Sequence, residues 1–247
     1  MTQTGEMTFW DHLEDLRGSI FRMLAVYASA VVALFFFKGF LFDSLILAPS
    51  KPDFFLYKLL GADFSMTLVN IEVAAQFLIH MKITLIVGLI VTFPFLIYEA
   101  WRFIAPALYE KEKKVVRGAF AFASILFYAG VAVGYAVVFP LMLNFFSGYQ
   151  VSPEISNTFS LTSYISLFTS LVLTFGIVFE FPTVVAVLSS LGVLTRQTLK
   201  SFRKHAICAV LILAAIITPS GDPFSLMVVS VPLYLLYEFG IIICRKS

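Results

Sequence analysis

Long apolar runs with almost no charge inside them dictate the solvent in which this chain folds. Six stand out: about Ile20 to Phe42, Val73 to Tyr98, Gly118 to Phe146, Tyr164 to Leu191, Ala206 to Ile217 and Phe224 to Cys244. A helix needs about 20 mainly apolar residues to cross a bilayer's hydrocarbon core, and the first four runs reach that length. The third exceeds it and is expected to tilt or protrude. The runs are continuous, whereas barrel strands alternate apolar and polar residues over about ten positions. The chain therefore reads as all-α and polytopic. Its composition agrees: 60% hydrophobic and 13% charged, against roughly 45–50% and 25% in ordinary globular proteins. Such a chain cannot cover its surface with polar groups, which excludes a soluble enzyme, a secreted disulfide scaffold and a disordered linker.

The fifth run is the short one. Its twelve apolar residues reach only ~18 Å at about 1.5 Å each. It either recruits polar neighbours, giving a span of about 205–218, crosses a thinned membrane, or forms a re-entrant hairpin with the sixth. Thr218-Pro219-Ser220-Gly221-Asp222-Pro223 between them is a strong turn signal. Arg203 and Lys204 precede the pair and Arg245 and Lys246 follow it, so both ends favour one side of the membrane. The expectation is a single six-helix domain over 1–247, with spans near 20–42, 73–98, 118–146, 164–191, 205–218 and 224–244.

Orientation follows from lysine and arginine placement. Thirteen lie in the N-terminal tail, in the stretches between runs two and three and between four and five, and at the C-terminus. Only Lys38, Lys51 and Lys58 lie on the other side, with Lys82 inside a run. Both termini are therefore expected in the cytoplasm. The long outer loop, 43–72, carries Phe54, Phe55, Tyr57 and Phe64, which suggests that it lies on the membrane surface or on other helices. A polar stretch, Glu6 to Arg17, precedes the first run without a small-residue cleavage pattern, so no cleavable signal peptide is expected. A net charge of +2 is too weak to imply a nucleic-acid partner, and Cys208 and Cys244 share no metal-type spacing.

The runs contain few groups that could do chemistry. There is no His-Glu-x-x-His, no Gly-x-Ser-x-Gly elbow and no phosphate-cradling loop; His80 and His205 sit at run ends with no serine opposed. Glu180, within Phe175-Gly176-Ile177-Val178-Phe179-Glu180-Phe181-Pro182, is the sharpest feature. A carboxyl at membrane depth costs roughly 2.5–3.5 kcal/mol on insertion scales, so it faces protein or water. At 100° per residue, Thr162, Ser166, Thr169, Gly176 and Thr183 share its face. This stripe is either a hydrogen-bonded helix contact or the polar floor of a substrate-facing cavity. Pro182 removes a backbone donor, which predicts a kink near Glu180. Asp11, Glu14 and Asp15 before the first run, and Glu110 and Glu112 among lysines after the second, are either self-paired or a receptor for a basic peptide, since carboxylates grip arginine bidentately. Lys82 and Glu72 are expected to snorkel or pair, and Asp222 and Glu238 to act as cap or interface residues.

Several of these residues fall in stretches that resemble the TatC family, the receptor core of the twin-arginine protein translocase. Phe9-Trp10-Asp11-His12-Leu13-Glu14-Asp15-Leu16-Arg17 resembles its N-terminal motif. Phe93 to Glu112, with its Phe-Ile-Ala-Pro-Ala-Leu-Tyr run, is similar to its first cytoplasmic loop. Phe175-Gly176-x-x-Phe179-Glu180-x-Pro182 is similar to its fourth helix, and Thr218-Pro219 followed by Asp222 to the turn between its last two helices. Val231-Pro232-Leu233 and Tyr237-Glu238 continue the match.

The resemblance implies a glove-shaped bundle of six helices, the last two short, in the cytoplasmic (inner) membrane of a prokaryote. It implies binding of twin-arginine signal peptides and export of folded proteins on the proton motive force, with TatA and TatB as single-span partners and self-association in the receptor complex. No catalysis, cofactor or metal is implied. Carried over by position, Glu112 is the arginine-recognising glutamate, Asp15 and Arg17 belong to the signal-binding patch, and Phe103 and Pro106 are loop residues needed for translocation. Glu180, with Thr169 and Gly176, faces the concave cavity, and Thr218 and Asp222 dock a partner span. Asp15 is shorter than the family's glutamate. Gly18-Ser19 lacks the basic residue common there, and Leu226 stands where many relatives have glutamine. The competing reading is a proton-coupled small-solute transporter using Glu180 and Lys82, but no internal repeat is evident.

Overall fold

The computed structural model describes residues 9–61, 64, 66–107, 110–152, 154–155, 157–218 and 221–244. All six apolar runs fall on helices. The first helix, α1 (Phe9–Phe36), begins well before its apolar run, so the acidic residues that precede the run ride on the same helix. A π-helical turn, Phe40–Ile46, then leads through Ala48–Ser50 to the short α2 (Phe55–Leu60). The second long helix, α3 (Ala75–Ile104), ends in a 3₁₀ turn, Ala105–Ala107, where Pro106 cannot continue an α-helical ladder.

The third membrane element is α4 (Glu110–Val133), a π-helical stretch Gly134–Val138, and α5 (Phe139–Gly148). The fourth is α6 (Leu161–Val178) and α7 (Phe181–Ser190), separated at Phe179–Glu180. The kink expected from Pro182 is thus a full break: Glu180 N–H donates to the Ile177 carbonyl at 3.0 Å, a tightened terminal turn. A short α8 (Arg196–Ser201) precedes α9 (Arg203–Ile217) and α10 (Pro223–Ile243).

Among the described residues, five helical stretches are long and apolar enough to cross a membrane: His12–Phe36, Ala75–Ile104, Val116–Gly148, Leu161–Ser190 and Pro223–Ile243. With 15 residues, α9 rises only ~22 Å. Outward-facing apolar side chains such as Phe36, Ile212, Ile216 and Met227 are more than 60% exposed, as expected of a surface solvated by lipid. The most extensive helix pairing is α1 along α3, followed by α4 against α6.

Packing is concentrated toward the end of the bundle that holds the 43–72 segment. Leu41, Ile46, Tyr57 and Phe64 of the 43–72 region and its approach join the main core with Phe139, Met142, Tyr164 and Phe168. Tyr57 donates to the Pro49 carbonyl (2.7 Å), Tyr135 to Leu45 (2.8 Å) and Tyr164 to Ile46 (2.8 Å). Burial pushes the Tyr57 phenol above its ordinary range. The loop therefore lies on other helices, although Phe55 remains 54% exposed. A two-residue parallel ladder, β1 (Leu68–Val69) with β2 (Phe159–Ser160), pairs Leu68 with Phe159 and ties the segment before α3 to the segment before α6. At the opposite, basic end a smaller cluster joins Val185, Leu199, Tyr237, Ile241 and Cys244. There Arg203 donates to Glu238 at 2.6 Å and Tyr234 to the same carboxylate at 3.0 Å, which clamps α9 to α10.

Candidate functional site at the basic end of the helices

The N-terminal turns of α1 meet the C-terminal end of α3. Phe103 stacks on His12 with ring centroids 4.4 Å apart and planes 20° from parallel. Pro106 is exposed in the 3₁₀ turn just beyond. Asp15 and Arg17 are exposed on α1, one turn past His12, and the Arg17 guanidinium carbon lies 5.6 Å from the Phe21 ring centre. Glu112 lies in the first turn of α4; its side chain, like those of Glu110, Lys111 and Asp11, lies outside the described residues.

Beneath this surface is an ion-pair cluster that the sequence reading passed over. Arg22 donates from Nη2 and Nε to Glu99 Oε2 at 2.7 and 3.1 Å, and from Nη2 to Ser19 Oγ at 2.9 Å. Arg102 Nη1 lies 3.7 Å from the other Glu99 oxygen, and the Glu99 side chain is only 3% exposed. The pair staples α1 to α3 at the level of the signal-recognition candidates. It left a trace in the sequence, since Arg22 lies inside the first apolar run and Glu99 directly follows the second, and opposite charges at such depth pair. Their registers across two helices 77 residues apart are set by packing alone.

The stripe through Glu180 divides in two. The Thr169 hydroxyl donates back to the Ile165 carbonyl at 2.8 Å and is buried. Gly176 is buried against α4: a Cβ there would sit 2.9 Å from Phe127 Cε2 and 3.0 Å from Val131 Cγ2. Gly176 thus packs against α4, and the Thr169 hydroxyl is bonded back into its own helix. The face opposite the stripe, Leu171 and Phe175, is fully buried too, so polarity along this helix does not mark its exposed side. Glu180 itself is half-buried at the break between α6 and α7, close to Thr183 and Phe127. Its Oε1 and the Thr183 hydroxyl are buried without a hydrogen-bond partner among the described residues.

The other candidates serve local structure. Asp222 caps α10, its Oδ1 accepting from Ser225 N–H at 2.8 Å. The buried Thr218 hydroxyl donates to the Ala214 carbonyl at 2.8 Å. Pro219 and Ser220 lie outside the described residues. Leu226 is half-buried against the main core. Lys82 is exposed near the N-terminal end of α3, and among the described residues it forms no ion pair with Glu72 or Glu180.

These features define a multi-pass helical membrane protein whose α1–α3 junction gathers charged and aromatic groups at one membrane face. A family profile for "Sec-independent protein translocase protein (TatC)" matches residues 11–232. The chain is 36% identical to the TatC protein of Blattabacterium sp. subsp. Periplaneta americana, over 98% of this chain and 96% of that protein. It is 33% identical to TatC of Haemophilus influenzae, over 95% and 87%. Two crystal structures of the twin-arginine translocase receptor TatC superpose with TM-scores of 0.76 and 0.79 at 33% and 31% identity, covering 94% and 95% of this chain and 97% and 99% of theirs. The chain belongs to the TatC family of Sec-independent protein translocase proteins, a transport family, and is a multi-pass integral protein of the inner membrane.

Proposed function

We propose that this chain is the receptor that recognises twin-arginine signal peptides at the cytoplasmic face and passes their folded proteins on for export, driven by the proton motive force. In this reading six helices cross with both termini inside, α9 spanning a locally thin bilayer. Asp15 and Glu112 each engage one guanidinium, Arg17 tunes the patch, and Phe103 and Pro106 shape the loop. Glu180 supplies a polar point at membrane depth, and the Thr218–Asp222 turn docks the single span of TatA or TatB. Receptor copies associate with one another, and the role is transport with no bond-making step.

The observation that carries the reading is the Phe103–His12 stack. It seats the acid-bearing start of α1 on the loop that resembles the family's most specific motif. Charge-assisted hydrogen bonds contribute roughly 1.5–3 kcal/mol, so Glu112→Ala should weaken binding of a double-arginine peptide about ten- to a hundredfold. A double-lysine peptide should respond little, because lysine makes no bidentate fork. Glu110→Ala is the internal control, since two residues along a helix turns the side chain to another face. Equal losses in both variants, or for both peptides, would reduce the site to a diffuse acidic patch and overturn the assignment.

A further inference from the structure

A second feature at the basic end lies between α3 and α4, bordering the candidate site at Pro106, which lines it. The helices α3 and α4 are in firm contact part-way along their length, where Phe93 stacks on Phe127 with centroids 3.6 Å apart and Tyr128 donates to the Ile90 carbonyl at 3.1 Å. Between that contact and the 3₁₀ turn Ala105–Ala107 lies a wedge of about 730 Å³, within the ~300–1,000 Å³ range of ligand sites. Its depth is apolar, lined by Pro94, Ile97 and Phe120; its mouth carries Arg102, Lys113 and Arg117. Arg117 is exposed and has no ion-pair partner among the described residues. Arg102 reaches Glu99 only at 3.7 Å and keeps 59% of its side chain exposed. Tyr98 and Trp101 sit between the two zones, and Trp and Tyr favour the headgroup level of a bilayer.

We propose that this wedge binds an anionic phospholipid. The phosphate diester sits among Arg102, Lys113 and Arg117, and the acyl chains run down past Trp101 against Ile97, Phe120 and Pro94. Basic pockets between transmembrane helices hold such headgroups. The gradation from cations through interfacial aromatics to apolar side chains matches a lipid along its length. A free phosphate would leave the apolar depth uncovered, and a peptide helix would need an apolar face without the three cations at one end.

The chain's two tryptophans are Trp10 and Trp101, so Trp10→Phe leaves one reporter inside the wedge. The full-length protein is reconstituted in phosphatidylcholine vesicles containing a minor fraction of acyl-brominated lipid, and Trp101 quenching is measured. Brominated phosphatidylglycerol should quench more strongly than brominated phosphatidylcholine at equal fraction. Lys113→Gln with Arg117→Gln should lower the apparent preference about fivefold per cation removed, whereas Lys113→Arg with Arg117→Lys, which retains charge, should keep it. Lys200→Gln, on a basic segment away from the wedge, should leave the preference intact. Equal quenching by the two lipids in the parent, or an undiminished preference in the glutamine variant, would overturn the site. So would displacement by soluble glycerol phosphate, which would mark a plain phosphate site. Weak quenching by both lipids, below that of a tryptophan placed at lipid-facing Phe36, would mean that a protein segment fills the wedge and would equally overturn the proposal.

Discussion

Gly130→Ala measures how closely α4 and α6 approach beside the Glu180 break. A methyl at Gly130 would run into the Phe175 carbonyl oxygen and lie 2.7 Å from Phe179 Cβ and 2.8 Å from Phe179 Cγ. The first is backbone and the second is fixed to it, so no rotamer change relieves the clash and the helices must separate. Small residues at such contacts allow the close backbone approach on which helix association in lipid depends. Overpacking of this kind costs about 1–3 kcal/mol. Gly118, on the same helix, has nothing within 4 Å of its built Cβ, so Gly118→Ala gains helix propensity of up to ~1 kcal/mol. The two identical substitutions should therefore differ by about 1–4 kcal/mol with opposite signs. Thermal and dodecyl-sulfate unfolding in mild detergent, followed by circular dichroism, reads the difference directly. Export of a twin-arginine reporter shows whether separation at Phe179 disturbs the neighbouring Glu180. Equal unfolding midpoints for the two variants would refute the packing argument, whatever the export result.

Glu180→Gln should retain folding and most export, since the amide keeps a polar group at the break, while Glu180→Leu should be at least as stable yet export poorly; normal export by the leucine variant would make Glu180 a packing residue only. Arg22→Leu should lower the unfolding midpoint more than Glu99→Leu, because it strands the buried Glu99 carboxylate whereas the Arg22 side chain is 43% exposed, and the double substitution should recover much of the loss; additive losses would mean that the pair is not coupled. With Cys208 and Cys244 replaced by serine, a cysteine at Ile155 should react with an impermeant maleimide added outside cells and one at Lys200 should not, and the reverse pattern would invert the topology.

Much of this protein was legible in one dimension. Membrane residence, the helical class and the approximate position of each helix follow from apolar length, because a backbone in lipid must satisfy its hydrogen bonds within the segment. The break at Glu180 follows from Pro182, which lacks an N–H. Cap chemistry at Asp222 follows from the Thr-Pro-x-Gly-Asp-Pro turn. These are properties of a residue and its near neighbours.

Relations between helices were decided only by the tertiary structure. Apolar periodicity cannot separate lipid from protein as the surroundings of a face when both are apolar. The stripe with Thr169 and Gly176 accordingly reads either as a helix contact or as a cavity floor, and only the structure sets Gly176 against Phe127 and Val131. For the same reason, nothing in the 43–72 segment says that Tyr57 is buried while neighbouring Phe55 is open. The Arg22–Glu99 staple, the His12–Phe103 stack and the wedge between α3 and α4 all depend on register and separation between segments far apart in the chain. Those are set by side-chain packing summed over whole helix faces, and no local stretch of residues encodes them.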